Sequence, residues 1–151
     1  MRERGDPGTK KISVVAGDVN RPNGLAFSPD ESVLYIIECG VTPRVIRAYD
    51  VVDGGKGIAR PRALITPEKA ATPDGLRIDV DGNLWCGWGM GTEELDGVSV
   101  FNPSGKLIGH IALPERCANM CFGGPQRNRL FMAASTSVYS LFVNTQGVAV
   151  V

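Results

Sequence analysis

Pro73-Asp74-Gly75-Leu76-Arg77-Ile78, then Leu84-Trp85-Cys86, then Val98-Ser99-Val100-Phe101-Asn102: this succession of a turn and three short β-type runs decides the fold, because it recurs. The preceding copy is Pro22-Asn23-Gly24-Leu25-Ala26-Phe27, Leu34-Tyr35-Ile36 and Val45-Ile46-Arg47-Ala48-Tyr49-Asp50. The following copy is Ala118-Asn119-Met120-Cys121-Phe122, Leu130-Phe131-Met132 and Val138-Tyr139-Ser140-Leu141-Phe142. Each run is rich in β-branched and aromatic residues. The copies return at intervals of about 45–50 residues, a period that belongs to propeller blades of short antiparallel strands. The sequence therefore predicts an all-β partial propeller of about three four-stranded blades.

Turn chemistry separates the strands. Ser28-Pro29-Asp30-Glu31 and Asp79-Val80-Asp81-Gly82-Asn83 fall between the first and second strands of their units, and Gly123-Gly124-Pro125-Gln126-Arg127-Asn128 matches them in the third. Asn102-Pro103-Ser104-Gly105-Lys106 leads to a fourth strand, Leu107-Ile108-Gly109-His110-Ile111, and Arg62-Ala63-Leu64-Ile65 is the fourth-strand candidate of the first unit. Lys11-Ile12-Ser13-Val14-Val15-Ala16 alternates polar and apolar residues and reads as an outer strand of a preceding blade. The expected organisation is a frayed or truncated start over residues 1–11 and a single domain over 12–151, with no interdomain linker.

Composition narrows the functional classes. The 151 residues carry 16 basic and 16 acidic side chains, so no basic face invites nucleic acid. Gly (19) and Pro (10) make up about a fifth of the chain and fall between the strands. No apolar run approaches the ~20 residues of a membrane span, and Met1 to Lys11 lacks the apolar segment of a signal peptide. Cys39, Cys86, Cys117 and Cys121 form no zinc set, because no second Cys pair or His cluster completes one. They read as reduced thiols of a cytoplasmic protein.

In a propeller the start of each innermost strand lies at one mouth of the central channel, so equivalent turn residues converge. That position holds Asn23, Asp74 and Ala118 in the three units. An amide oxygen and a carboxylate form a hard-oxygen set suited to Ca2+, Mg2+ or Mn2+. The competing reading is that Asn-Gly and Asp-Gly are simply turn dipeptides. Among other candidates, Glu38 reads as a solvated strand end, Glu93, Glu94 and Asp96 as a solvated loop, His110 as a surface or half-buried strand residue, and Asn119 either as a turn residue or as lining of the channel mouth. Trp85, Phe101, Phe122 and Phe131 are expected in the core. Ser135-Thr136-Ser137 has no partner pattern for a serine nucleophile.

Arg21-Pro22-Asn23-Gly24-Leu25-Ala26-Phe27-Ser28-Pro29-Asp30, Pro73-Asp74-Gly75-Leu76-Arg77-Ile78-Asp79 with Gly82-Asn83-Leu84-Trp85, Gly97 to Gly109, and Asn119-Met120-Cys121-Phe122-Gly123-Gly124 together resemble the gluconolactonase / senescence marker protein (regucalcin) family. The resemblance covers nearly all of the chain from about residue 12. It implies a six-bladed β-propeller of roughly twice this length that hydrolyses sugar lactones with one divalent cation. It implies that Asn23 and Asp74 are two of four protein ligands, with Asp74 also the general base. The other two, a Glu and an Asn, are expected upstream of Met1. Ca2+ is the first expectation for the cation, with Mg2+, Mn2+ or Zn2+ as alternatives. A second expectation, of another class, is a non-catalytic half-propeller that works only by association, with an upstream half or with a second copy of itself.

Overall fold

Each sequence unit folds as an antiparallel meander. The computed structural model describes residues 4–5, 11–68 and 71–149. A short pair comes first, β1 (Arg4–Gly5) with β2 (Ile12–Ser13). The first full sheet is β3 (Pro22–Phe27), β4 (Val33–Glu38), β5 (Val45–Val52) and β6 (Gly57–Ile65), hydrogen-bonded in chain order. The second is β7 (Leu76–Ile78), β8 (Leu84–Trp88), β9 (Gly97–Phe101) and β10 (Leu107–Ala112), again in chain order. The third has three strands, β11 (Cys117–Gly123), β12 (Arg129–Ala134) and β13 (Val138–Phe142). The all-β expectation is met, with two four-stranded units and one of three strands.

The innermost strands stand side by side: β3 lies next to β7, and β11 next to β7 and β8. Two apolar layers fill the spaces between sheets. Tyr35, Ile37, Ile46 and Ala48 of the first sheet meet Leu76, Leu84, Cys86 and Trp88 of the second. On the opposite face of the second sheet, Trp85, Val98 and Val100 meet Met120, Leu130 and Met132 of the third. Alternation along β8 explains the division: Leu84, Cys86 and Trp88 point one way and Trp85 the other. Because both faces are covered, all five residues of β8 and all five of β9 are buried, as a strand sandwiched between two layers requires.

Several expectations shift in detail. The strand foreseen over Lys11–Ala16 contracts to Ile12–Ser13, and Ile12 and Val14 are exposed. Val15 and Ala16 instead line a small cavity together with Leu25, Leu34 and Ile36 of the first sheet. The fourth strand of the first unit is longer than Arg62–Ile65 and starts at Gly57. Phe131 is not core: it stands half-buried on the outer face of the third sheet, with the Arg129 guanidinium 5.1 Å from its ring centre. Trp85 and Phe101 are buried as expected, and Trp85 meets the half-buried Phe122 edge-on at 5.4 Å.

After β13 the chain turns back. Val80 N–H donates to Gln146 O, Val148 N–H donates to Ile78 O, and Asp79 bridges Gly147. Gly147 N–H donates to Arg127 O, and Gly147 lies flat on Phe122, where a side chain would have no room. Residues 146–148 thus join the second sheet to the third. Among the described residues, no helix is long and apolar enough to cross a membrane.

Candidate functional site

The turns that open the inner strands are packed shoulder to shoulder through glycines. A Cβ on Gly24 would run into the Asp74 carbonyl oxygen and come within 3.0 Å of Leu76 N. A Cβ on Gly75 would come within 2.8 Å of Ala118 O and 2.5 Å of Asn119 Oδ1. These glycines serve close backbone approach. Gly75 N–H donates to Ala118 O at 2.8 Å, Asp74 N–H to Gly87 O at 2.9 Å and Gly87 N–H to Gly75 O at 2.9 Å. The three equivalent positions, Asn23, Asp74 and Ala118, therefore follow one another across neighbouring sheets. Ala118 contributes its carbonyl to this seam and no side-chain donor.

The side chains of Asn23 and Asp74 differ in setting. Asn23 is exposed, and its Nδ2 donates to Cys39 Sγ at 3.8 Å. The Cys39 thiol in turn donates to Pro73 O, also at 3.8 Å. A thin relay thus runs from Asn23 through Cys39 to the residue before Asp74. With Nδ2 engaged, Asn23 Oδ1 is the atom left for a ligand. The Asp74 side chain is a quarter exposed, and Arg116 Nη2 lies 3.7 Å from its Oδ2. Beneath this carboxylate lie thiols. Burial, reinforced by the charge of Asp74, pushes the Cys86 thiol far up. Burial likewise pushes Cys117 up to about 11, although a bond to the Asn119 backbone acts in the opposite direction. Both remain neutral, so this layer supplies no thiolate nucleophile.

Two oxygen donors fit a hard divalent cation better than a soft one. Among the described residues, no group of three or more His, Cys, Asp or Glu side chains gathers to hold a metal. The donors available at this seam are Asn23 Oδ1 and the Asp74 carboxylate.

Glu38 corrects an expectation. It is 2 % exposed rather than solvated, accepts from Asn20 N–H at 2.8 Å and pairs with Arg47 Nε at 2.5 Å. Arg47 sits opposite Ile36 in the β4–β5 register, diagonal to Glu38 on the same face. Burial disfavours the Glu38 carboxylate, but the Asn20 and Arg47 bonds outweigh it and hold the group below its ordinary range. Glu93 and Glu94 stand exposed in a 3-10 turn, as expected. His110 is exposed, with Nδ1 3.1 Å from Ser99 Oγ. Asn119 lies within β11 rather than in a turn, at the register shift that follows Cys117, and its Oδ1 accepts from Met120 N–H. Ser135–Ser137 belongs to a loop held by Glu115, which accepts from Thr136 N–H and Oγ1–H. Sequence alone gives Cys39 only as a reduced thiol and gives Arg116 no role; the signal for Arg116 is its offset two residues before Ala118, the same as that of Arg21 before Asn23.

With this geometry in view, comparison with known proteins is decisive at the level of family. Residues 3–136 match the model of the SMP-30/Gluconolactonase/LRE-like region. The chain belongs to this family. Its relatives include a gluconolactonase of Zymomonas mobilis, 29 % identical over 145 residues that cover 91 % of this chain and 39 % of that protein. Zebrafish regucalcin is 31 % identical over 119 residues, covering 78 % of this chain and 39 % of the relative. The solved structure of a putative gluconolactonase superposes with a TM-score of 0.83 at 31 % identity, covering 97 % of this chain and 47 % of the other. A gluconolactonase from Xanthomonas campestris gives 0.76 at 31 % identity, covering 91 % and 42 %. A calcium-binding regucalcin from Agrobacterium tumefaciens shares the fold, with a TM-score of 0.74 at 20 % identity over 91 % of this chain and 51 % of that one. The family member described here thus spans about half, or less, of these proteins' lengths.

Proposed function

We propose that this SMP-30/gluconolactonase family chain carries part of the active site of a sugar-lactone hydrolase built on a six-bladed propeller. The observation that carries the reading is the abutment of Gly24 on Asp74, with Asn23 and Asp74 at the starts of adjacent inner strands. The family relatives named gluconolactonase give the substrate class. Asn23 Oδ1 and the Asp74 carboxylate would hold one divalent cation, Ca2+ first and Mg2+, Mn2+ or Zn2+ as alternatives. The regucalcin described as calcium-binding supports that order. Such an ion supplies Lewis acidity toward the lactone carbonyl.

The rest of the chemistry falls to the chain. The Asp74 side chain is partly open to solvent, so its carboxylate can accept a proton from a water molecule. The water oxygen bonds to the carbonyl carbon, the ring C–O bond breaks, and the departing ring oxygen takes the proton from Asp74. The product is a hydroxy acid. Asn23, whose Nδ2 donates to Cys39 Sγ, has its carbonyl oxygen left for the ion.

The test is a pair of measurements on Asp74→Asn: Ca2+ binding by calorimetry and acid release from gluconolactone in a pH-stat. Both are expected to disappear, with the melting temperature little changed. Retention of both by the variant would remove Asp74 from the site.

A second reading rests on the outer face of the third sheet. Val138 is 73 % exposed and Phe142 70 %. Large apolar side chains on an uncovered sheet suit association, with an upstream half-propeller or a second copy. A monomeric mass by light scattering, unchanged in Phe142→Lys, would count against self-association.

A further inference from the structure

We propose that Arg116 binds the carboxylate of the hydroxy acid released at this site, making it a product-recognition residue supplied by the loop that enters the third sheet. The proposal rests on the hydrolase reading for the identity of the acid.

Arg116 stands apart from the other paired arginines. Arg47, Arg60 and Arg62 each donate directly to a carboxylate, at 2.5, 2.6 and 2.7 Å. Arg116 comes to 3.7 Å from Asp74 Oδ2, beyond hydrogen-bond range, and its side chain stays 41 % exposed. It is close enough to Asp74 to share its field, yet its donors are not consumed by it. Its position is nonetheless built. The stem lies against Gly89, where an added Cβ would fall 2.5 Å from Arg116 Cβ. Only a residue without a side chain leaves that space, so Gly89 lets the base of the Arg116 side chain pack against it.

The location complements the donor pattern. Arg116 lies two residues before Ala118, the one inner turn of the three that presents no oxygen donor. The loop entering the third sheet thus brings a cation to a seam where the other two units bring an amide and a carboxylate. A lactone is neutral, and the group that gains charge on ring opening is the new carboxylate. A guanidinium matches that group with two parallel N–H donors, a match a point charge does not provide. It also offsets the repulsion that Asp74 would exert on the acid.

The bland alternative is that Arg116 merely counters the charge of Asp74. Calorimetry on the full chain at saturating Ca2+ separates the two, using gluconate and glucitol, the polyol that lacks the carboxylate. Wild-type protein is expected to bind gluconate about ten-fold tighter than glucitol. Arg116→Gln should abolish that preference, Arg116→Lys should keep part of it, and glucitol binding should move in neither. Equal binding in the wild type, or a preference that survives Arg116→Gln, overturns the proposal. The hydrolase reading fails separately, through gluconolactone turnover that is absent or insensitive to Asp74→Asn. A carboxylate preference that follows Arg116 without turnover would leave the anion site standing and remove the hydrolase.

Discussion

The carbonyl oxygen of Asp74 fills the space in which a side chain on Gly24 would begin. The two residues belong to different sheets, so this contact sets the spacing of the first and second inner strands. Gly24→Ala must push them apart. A loss of about 1–3 kcal/mol is expected for overpacking at such a seam, visible as a melting temperature lowered by roughly 3–10 °C. Ca2+ affinity should fall in the same variant, because Asn23 moves with Gly24. A variant with unchanged melting and unchanged Ca2+ binding would show that the seam yields freely.

The Asn23–Cys39–Pro73 relay predicts an ordered series. Cys39→Ser retains both a donor and an acceptor, whereas Cys39→Ala retains neither. Weak bonds of this type contribute about 0.5–1 kcal/mol. Cys39→Ala should therefore weaken Ca2+ binding several-fold, and Cys39→Ser should restore most of it. Equal affinity in the two variants would mean that the thiol merely fills space.

Glu38 gives a pH signature unrelated to the site. Its carboxyl titrates lower in the folded chain than in the unfolded one, where about 4.3 is ordinary. Its stabilising contribution is thus complete above that unfolded value and is lost as pH falls through the folded one. Glu38→Gln should cost about 1–3 kcal/mol at pH 7 and much less at pH 3. Denaturant melts across that range would show a flatter acid limb in the variant. A constant difference between pH 3 and pH 7 would contradict the ion-pair account.

How far the sequence could be read depends on the range of the interaction. Asn23 and Asp74 were legible because repeat units align, and alignment of equivalent turns carries three-dimensional information. Glu38 was not. A carboxylate at a strand end looks solvated until the register places Arg47 beside it, and register is a pairing between strands. Phe131 misled for the opposite reason: an aromatic in a strand signals burial, but which face a third sheet leaves open depends on what stands next to it. The start of β6 at Gly57 was hidden by Arg60-Pro61-Arg62, whose polarity and proline break the apolar signal while the backbone still pairs with β5. Residues 146–148 are too few to show any period.

Asp79 is a structural counterpart to Asp74 five residues away. Fully buried, it accepts from Asp81 N–H, Asn83 N–H, Asn83 Nδ2 and Trp85 Nε1, at 2.8 to 3.0 Å. Asp79→Ala would strand the buried Trp85 indole N–H and leave three part-buried donors to water; a buried donor without a partner costs about 1–3 kcal/mol. A loss near 3 kcal/mol is expected, accompanied by a shift in tryptophan emission. A stable variant with native emission would mean that water replaces the carboxylate without cost.

The return of residues 146–148 to the second sheet has a dynamic meaning. Gly147 reaches Asp79 on one side and Arg127 on the other, while Val148 is bonded to Ile78. The third sheet therefore cannot swing away from the second without first releasing this clasp. The two sheets should open as one cooperative unit, and the amides of Val80, Gly147 and Val148 should exchange with solvent at a common rate.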